Sequence, residues 1–292
     1  MGRMDGKVVV ITGAARGQGR AQAIRLAEEG ASIVACDIAG QIASVPYPMG
    51  TENDLEQTVS EVEKLDQRCV AVKADARSTA DMQRLAQVAL TEFGRIDSLV
   101  VTHGISNGTG EWNASDEQFD DIVDVNLKGV WKACRAIIPH LIEGGRGGSI
   151  VLTSSVAGLQ AFTGLVPSYV AAKAGVIGLA RALSAELAPH WIRVNAICPG
   201  TVDTPMIMND NILSLFSGKQ TGGTRQEAEF AAQSLALLPA PFLDARDLAN
   251  AVLWLVSDEA RFVTGTAIPV DLGMSNQPSG IPPIGVQALN AR

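Results

Sequence analysis

Tyr169 and Lys173 stand four residues apart in Ser168-Tyr169-Val170-Ala171-Ala172-Lys173-Ala174, a stretch of strong helix formers. On a helix, residues at i and i+4 share a face and their side chains meet. A phenol that titrates near 10 is a poor proton carrier at neutral pH. An ammonium one turn away favours the phenolate, so the spacing predicts that Lys173 draws the Tyr169 pKa down towards the working range. The same two residues also fit one face of an ordinary helix. The rest of the chain decides between these readings.

A second group of residues suits a dinucleotide. The β-branched run Lys7-Val8-Val9-Val10-Ile11 ends in Thr12-Gly13-Ala14-Ala15-Arg16-Gly17-Gln18-Gly19, after which apolar residues recur at helical spacing up to Gly30. Gly13 permits a tight turn, Gly17 lets backbone approach a pyrophosphate, and Gly19 allows close helix packing. The helix start offers free N–H groups and a positive dipole end to phosphates. Asp37 closes the next strand, 20 residues past Gly17, where a carboxylate can accept bonds from both adenine-ribose hydroxyls. That acid repels a 2′-phosphate and favours NAD over NADP. Arg16 in the turn works the other way, but no second basic residue follows Asp37.

Further along, Asp75 ends a strand, where its carboxylate either meets the adenine amino group or caps the next helix. Thr102-His103-Gly104 closes another strand. Gly104 lets backbone pass close to a cofactor, and His103 reads as a structural residue beside a buried strand. Asn126 lies inside the apolar pattern of a helix expected over Asp116 to Ile138, so its amide is either bonded to backbone or part of a site. Ser154-Ser155 ends the strand before Tyr169, and Pro199-Gly200-Thr201-Val202-Asp203-Thr204 closes the one after it. The three histidines form no metal-ligand spacing, and no metal is expected.

Seven strand patterns alternating with helices imply an α/β fold, a Rossmann-type doubly wound parallel sheet with helices on both faces. Such sheets bind ligands beyond the carboxyl ends of their strands, where Asp37, Gly104, Ser155 and Pro199-Gly200 all fall. One domain over 1–292 is expected, with an unusually long loop at 38–54, a substrate lid over about 205–240 and an extended tail at 274–292. The net charge of −8 argues against nucleic acid or an anionic membrane surface as a partner. No apolar run reaches the ~18 residues of a membrane span, and no signal peptide is read at the start. The four cysteines are far apart and read as buried thiols of a cytoplasmic protein.

Together the motifs Thr12-Gly13-x3-Gly17-x-Gly19, Asn126, Ser155, Tyr169-x3-Lys173, Pro199-Gly200 and Val270-Asp271 resemble the short-chain dehydrogenase/reductase family over roughly residues 5 to 273. The resemblance implies hydride transfer with Tyr169 as acid/base and Ser155 holding the reacting oxygen. Lys173 would tune the phenol and bond the nicotinamide ribose, and Asn126 would hold the water of a proton relay. Gly13, Arg16, Gly17, Gln18, Gly19, Asp37, Asp75, Ala76, Gly104, Pro199, Val202 and Thr204 would complete the NAD site with Tyr169 and Lys173. A homotetramer is implied. One departure stands out: the usual Asn-Asn-Ala-Gly is here Val101-Thr102-His103-Gly104, which removes the side-chain bonds that normally brace the central sheet.

The insertion around Val45-Pro46-Tyr47-Pro48 is similar to the carveol dehydrogenase-like, mycofactocin-coupled branch. That likeness implies oxidation of a small apolar secondary alcohol, with tightly held NAD passing electrons to a peptide-derived redox carrier. Phe162, Leu165 and Val166, with apolar residues from Met206 to Phe216, are expected to wall the substrate site. Tyr47 is expected to stack on adenine or seal the edge of the site. The rival readings are an NADP-dependent ketone or 3-oxoacyl reductase and a dinucleotide-binding regulator without turnover. The Ser155/Tyr169/Lys173 set argues against the regulator.

Overall fold

A computed structural model of the chain describes residues 2–106, 112–161 and 167–277. The seven strands are β1 (Val8–Thr12), β2 (Ser32–Asp37), β3 (Cys69–Lys73), β4 (Ser98–Val101), β5 (Gly148–Thr153), β6 (Ile192–Pro199) and β7 (Ala267–Val270). They form one parallel sheet in the order β3-β2-β1-β4-β5-β6-β7. Every residue of β1 and β4 is buried, whereas the edge strands β3 and β7 are partly open. This is why the central strands read as unbroken β-branched runs.

Successive residues of β1 feed opposite layers. Val8 and Val10 join Leu85, Ile137 and Val176 on one face, from α3 (Thr79–Phe93), α5 (Val130–Gly144) and α6 (Pro167–Leu187). Val9 and Ile11 join Leu26, Leu55 and Leu248 on the other, from α1 (Gly17–Ala27), α2 (Glu52–Glu63) and α9 (Ala245–Val256). The strand order reverses at β1, between β2 and β4, and so opens a crevice at their carboxyl ends.

Three regions differ from the sequence expectation. The helix expected over Asp116 to Ile138 is α4 (Asp116–Val123) followed by a π-helical stretch, Asp124–Gly129, before α5. A wider turn of this kind is common at functional sites. The irregular 206–240 segment contains two helices, α7 (Asp210–Ser217) and α8 (Arg225–Ser234). The start of the expected extended tail is a 3-10 turn, Met274–Asn276, with Asp271 accepting from the Gly273 and Ser275 amides. The rest of the tail lies outside the described residues.

The insertion builds a small core of its own. Ile42, Val45 and Tyr47 pack with Ile105, Ile122, Val125 and Ala172 above the strand ends. It ends where Thr51 and Asp54 form a reciprocal capping box at the start of α2.

Candidate active site

The glycine turn lies between β1 and α1. Gly13 has φ +72°, and a Cβ on Gly19 would stand 2.0 Å from the Gly13 carbonyl oxygen, so only glycine lets α1 start so close to the strand. Arg20 locks the turn to α2 by donating to the Ala15 and Asp54 carbonyls and to Thr58 Oγ1. Asp37 Oδ2 accepts from the Ala15 amide at 3.1 Å and Oδ1 from the Ala39 amide at 3.0 Å. The carboxylate is thereby fixed at the tip of β2.

A cleft runs from there along the strand ends, lined by Gly13, Arg16, Gly17, Gln18, Gly19, Asp37, Asp75, Ala76, Gly104 and Thr204. These residues fit a dinucleotide: a glycine cradle at a helix start, an acid at one end, and in Gln18 Oε1 a buried oxygen without a partner among the described residues. Pro199 and Val202 are placed apart from these residues. Both are buried at the end of β6, and neither lines the cleft. Val202 instead pairs with Leu243 and packs in the core. Asp75 is also engaged differently, since both its carboxylate oxygens accept from the Arg77 guanidinium. That ion pair outweighs burial and holds the Asp75 carboxyl below its ordinary range.

Two of the four catalytic candidates face a second cavity of about 780 Å³, within the usual size range of ligand sites. Ser155 and Tyr169 line it with Val156, Ile207, Ile212, Leu215 and Phe216, and Met206 borders both spaces. Leu235, Met274 and Gln277 also line it, although no motif marked them in the sequence. Phe162, Leu165 and Val166 lie outside the described residues.

Lys173 is anchored at both ends. Its Nζ donates to the Thr153 carbonyl at 2.9 Å, and its own carbonyl accepts from Ser154 Oγ at 2.7 Å. The end of β5 therefore sets the position of α6. The sequence expectation that Lys173 lowers the Tyr169 pKa does not hold for the chain alone. Burial among Tyr47, Ile105, Ala172 and Met206 pushes the phenol up to about 12, while the Ser155 hydroxyl acts in the opposite direction. Burial likewise pulls Lys173 down to about 8. The ammonium lies under the ring, 5.6 Å from its centroid, and spends a hydrogen bond on Thr153.

Asn126 projects from the π-helical stretch and is fully buried. Its Oδ1 accepts from the Ile105 amide and its Nδ2 donates to the Ile105 carbonyl, each at 2.8 Å. The side chain thus clamps the wall that follows Gly104. His103 and Thr102 brace the end of β4 against β1 and α1. His103 Nδ1 and Thr12 Oγ1 share a hydrogen bond of 2.7 Å, and Thr102 Oγ1 donates to Gln22 Oε1 at 2.5 Å. Burial and the nearby Lys173 push the imidazole down to about 4, so it is neutral at working pH.

The insertion is fastened along its length. Ser44 Oγ donates to Asp121 Oδ2 at 2.6 Å, the Tyr47 hydroxyl accepts from the Ser106 amide at 3.2 Å, and the Pro46 carbonyl accepts from Asn211 of α7 at 3.3 Å. Gly50 then returns over Ala15, Arg16 and Asp37. Tyr47, Ile42 and Met49 line the dinucleotide cleft. Of these three, only Tyr47 was expected at the edge of the site from the sequence, while Ile42 and Met49 belong to no motif.

A parallel seven-stranded sheet with this turn and this Ser/Tyr/Lys cluster defines a Rossmann-type oxidoreductase, and residues 7–212 match the family model for short chain dehydrogenases. The chain belongs to that family. It is 42% identical over 274 residues to the (-)-trans-carveol dehydrogenase of Rhodococcus erythropolis, covering 94% of this chain and 99% of that protein. The crystal structure of carveol dehydrogenase from Mycobacterium avium in complex with NAD is similar at a TM-score of 0.92 and 45% identity, over 95% of this chain and 100% of that one. A 3-oxoacyl-[acyl-carrier-protein] reductase of Thermotoga maritima is 33% identical over 93% of this chain and 99% of that protein.

Proposed function

We propose that the protein oxidises small apolar secondary alcohols of terpenoid or alicyclic, carveol-like type to ketones. The chain is an NAD-dependent short-chain alcohol dehydrogenase. The observation that carries the finer reading is that Ser155 and Tyr169 open onto a largely apolar cavity adjoining a cleft whose far end holds Asp37. Asp37 there favours NAD, and the carveol dehydrogenases above support the substrate class.

In this reading Ser155 Oγ holds the substrate oxygen and Tyr169 takes its proton. The glycine turn, Gln18, Asp37 and Thr204 would hold NAD, whose nicotinamide would supply the hydride acceptor. The Lys173 ammonium beneath the Tyr169 ring favours the phenolate against the burial that opposes it. Asn126 positions the wall at Ile105. The apolar residues of α7 exclude water once substrate is seated.

The fastened insertion supports tight retention of NAD, with a peptide-derived carrier reoxidising it in place. Exposed Phe119 and Trp131 on α4 and α5, and Trp254 and Phe262 near β7, give apolar faces suited to a homotetramer in the cytoplasm. The test is an alcohol panel with NAD and NADP supplied separately. Alicyclic and terpenoid alcohols with NAD are expected to react best. Preference for NADP or for charged substrates would favour the reductase reading instead.

A further inference from the structure

We propose that Gly50, at the return of the insertion, is a second determinant of NAD over NADP, and that Gln41 holds it in place. The inference rests on the NAD-dependent reading and deepens it, adding rejection of a 2′-phosphate by shape to rejection by charge.

Charge alone is nearly balanced at this end of the cleft. Asp37 and Arg16 both line it, and the Arg16 guanidinium makes no hydrogen bond or ion pair among the described residues. Repulsion of a 2′-phosphate by Asp37 is therefore offset by an unengaged cation beside it. Backbone supplies what charge does not. Gly50 is buried and lines the cleft with Asp37 and Arg16. A Cβ on Gly50 would stand 3.0 Å from Ala15 Cβ, 3.6 Å from Asp37 Oδ1 and 3.9 Å from Arg16 Cδ. The chain thus passes close beside the carboxylate, which in this kind of fold accepts from the ribose 2′-hydroxyl. The Ala15 and Ala39 amides donate to the same carboxylate from other sides. A hydroxyl fits against an acid so enclosed, whereas a phosphate, with three further oxygens, has to displace the return. Such a clash discriminates against the larger ligand without any loss of contacts to the smaller one.

The return is held from both ends. Gln41 Oε1 accepts from the Met49 amide at 3.1 Å, and its Nε2 is shared by the Ile42, Val45 and Tyr47 carbonyls at 3.1, 3.0 and 3.3 Å. Met49 Sδ in turn accepts from the Ile42 amide at 3.3 Å. Beyond Gly50, Thr51 and Asp54 form the capping box of α2, and Arg20 ties the Asp54 carbonyl to that of Ala15. The wall is thereby fixed to the glycine turn that it faces. Gln41 does not line the cleft, so it acts through Gly50 as a positioning residue.

The experiment titrates the full chain, freed of bound nucleotide, with NADH and with NADPH and follows reduced-nicotinamide fluorescence. The readout is the ratio of the two affinities, since a merely looser insertion weakens both nucleotides alike. Wild type is expected to prefer NADH by at least about 100-fold, and Asp37→Ala still by about tenfold. When Asp37→Ala is combined with Gln41→Ala, the ratio should fall to about one. Asp37→Ala with residues 40–49 replaced by a short Gly-Ser connection is the companion variant and should behave alike. Parity in Asp37→Ala alone, or a preference that survives in both combined variants, overturns the proposal. Parity with the replacement but not with Gln41→Ala overturns the placing role of Gln41. Preference of wild type for NADPH overturns the NAD reading itself.

Discussion

The Lys173 ammonium sits 5.6 Å from the centroid of the Tyr169 ring and is held there by the Thr153 carbonyl. The phenol, enclosed and pushed up to about 12, stays protonated at neutral pH until other charge joins the site. In the proposed mechanism its role as proton carrier depends on the loaded complex, where the positive charges of oxidised NAD and Lys173 would both favour the phenolate. In Tyr169→Phe the ring and its packing remain while the proton carrier is lost. Turnover is expected to fall about 10²–10⁴-fold. NAD affinity, measured by calorimetry, should change little. Near-normal turnover would remove Tyr169 from the acid/base role.

We propose that Asp37 governs cofactor choice through the ribose. In Asp37→Ala two charge-assisted acceptors are lost, and NAD affinity should fall about 10–100-fold. Discrimination against NADP should relax, because Arg16 lines the same end of the cleft. Asp37→Asn serves as the companion variant, since Asp37 also accepts from the Ala15 and Ala39 amides. A wild-type preference for NADP would contradict the assignment.

His103 links stability to acid. Its folded pKa is depressed to about 4 from an ordinary 6.5, so the unfolded chain binds the extra proton between those values. Stability should therefore rise with pH from about 4 to 6.5 and be lost on acidification through that window, by an amount on the order of 2–3 kcal/mol. Urea midpoints for wild type and His103→Asn across the window test this. The variant keeps a polar partner for Thr12 and should show a flatter slope. Parallel slopes would mean that His103 titrates alike in the folded and unfolded chain.

The sheet and the glycine turn were legible because β-branched runs and short-range spacing encode them directly. Tyr169 and Lys173 were legible for the same reason, being neighbours on one helix. The hidden features depend on which partner each side chain meets in the folded chain. Nothing local in Asn126 says that its amide clasps Ile105, or in Asp75 that Arg77 takes its carboxylate. The direction of the Tyr169 pKa followed from how completely the tertiary fold encloses it, which a four-residue spacing does not report. The bracing by Thr12–His103 and Thr102–Gln22 was equally invisible, since it joins positions 80 to 91 residues apart.

We propose that the insertion governs cofactor release. It leaves β2 beside Asp37, crosses the cleft with Ile42, Tyr47 and Met49, and returns with Gly50 over Arg16 and Asp37. Its three fastenings, to Asp121, Ser106 and Asn211, lie on α4, the wall after β4, and α7. A nucleotide held in the cleft would have to undo several of them together to leave. Pro46 and Pro48 limit the open states of the loop, so closure over a ligand sacrifices less entropy. Replacing 40–49 by a short Gly-Ser connection keeps Thr51 and Asp54 as the cap of α2 and should leave the fold intact. NAD release should then speed up by at least about tenfold, the equivalent of losing one or two net hydrogen bonds. Reduction in place followed by a chase with excess oxidised NAD reads the rate through nicotinamide fluorescence. A wild-type protein that purifies free of nucleotide and exchanges it as fast as the shortened variant would show that the insertion holds nothing.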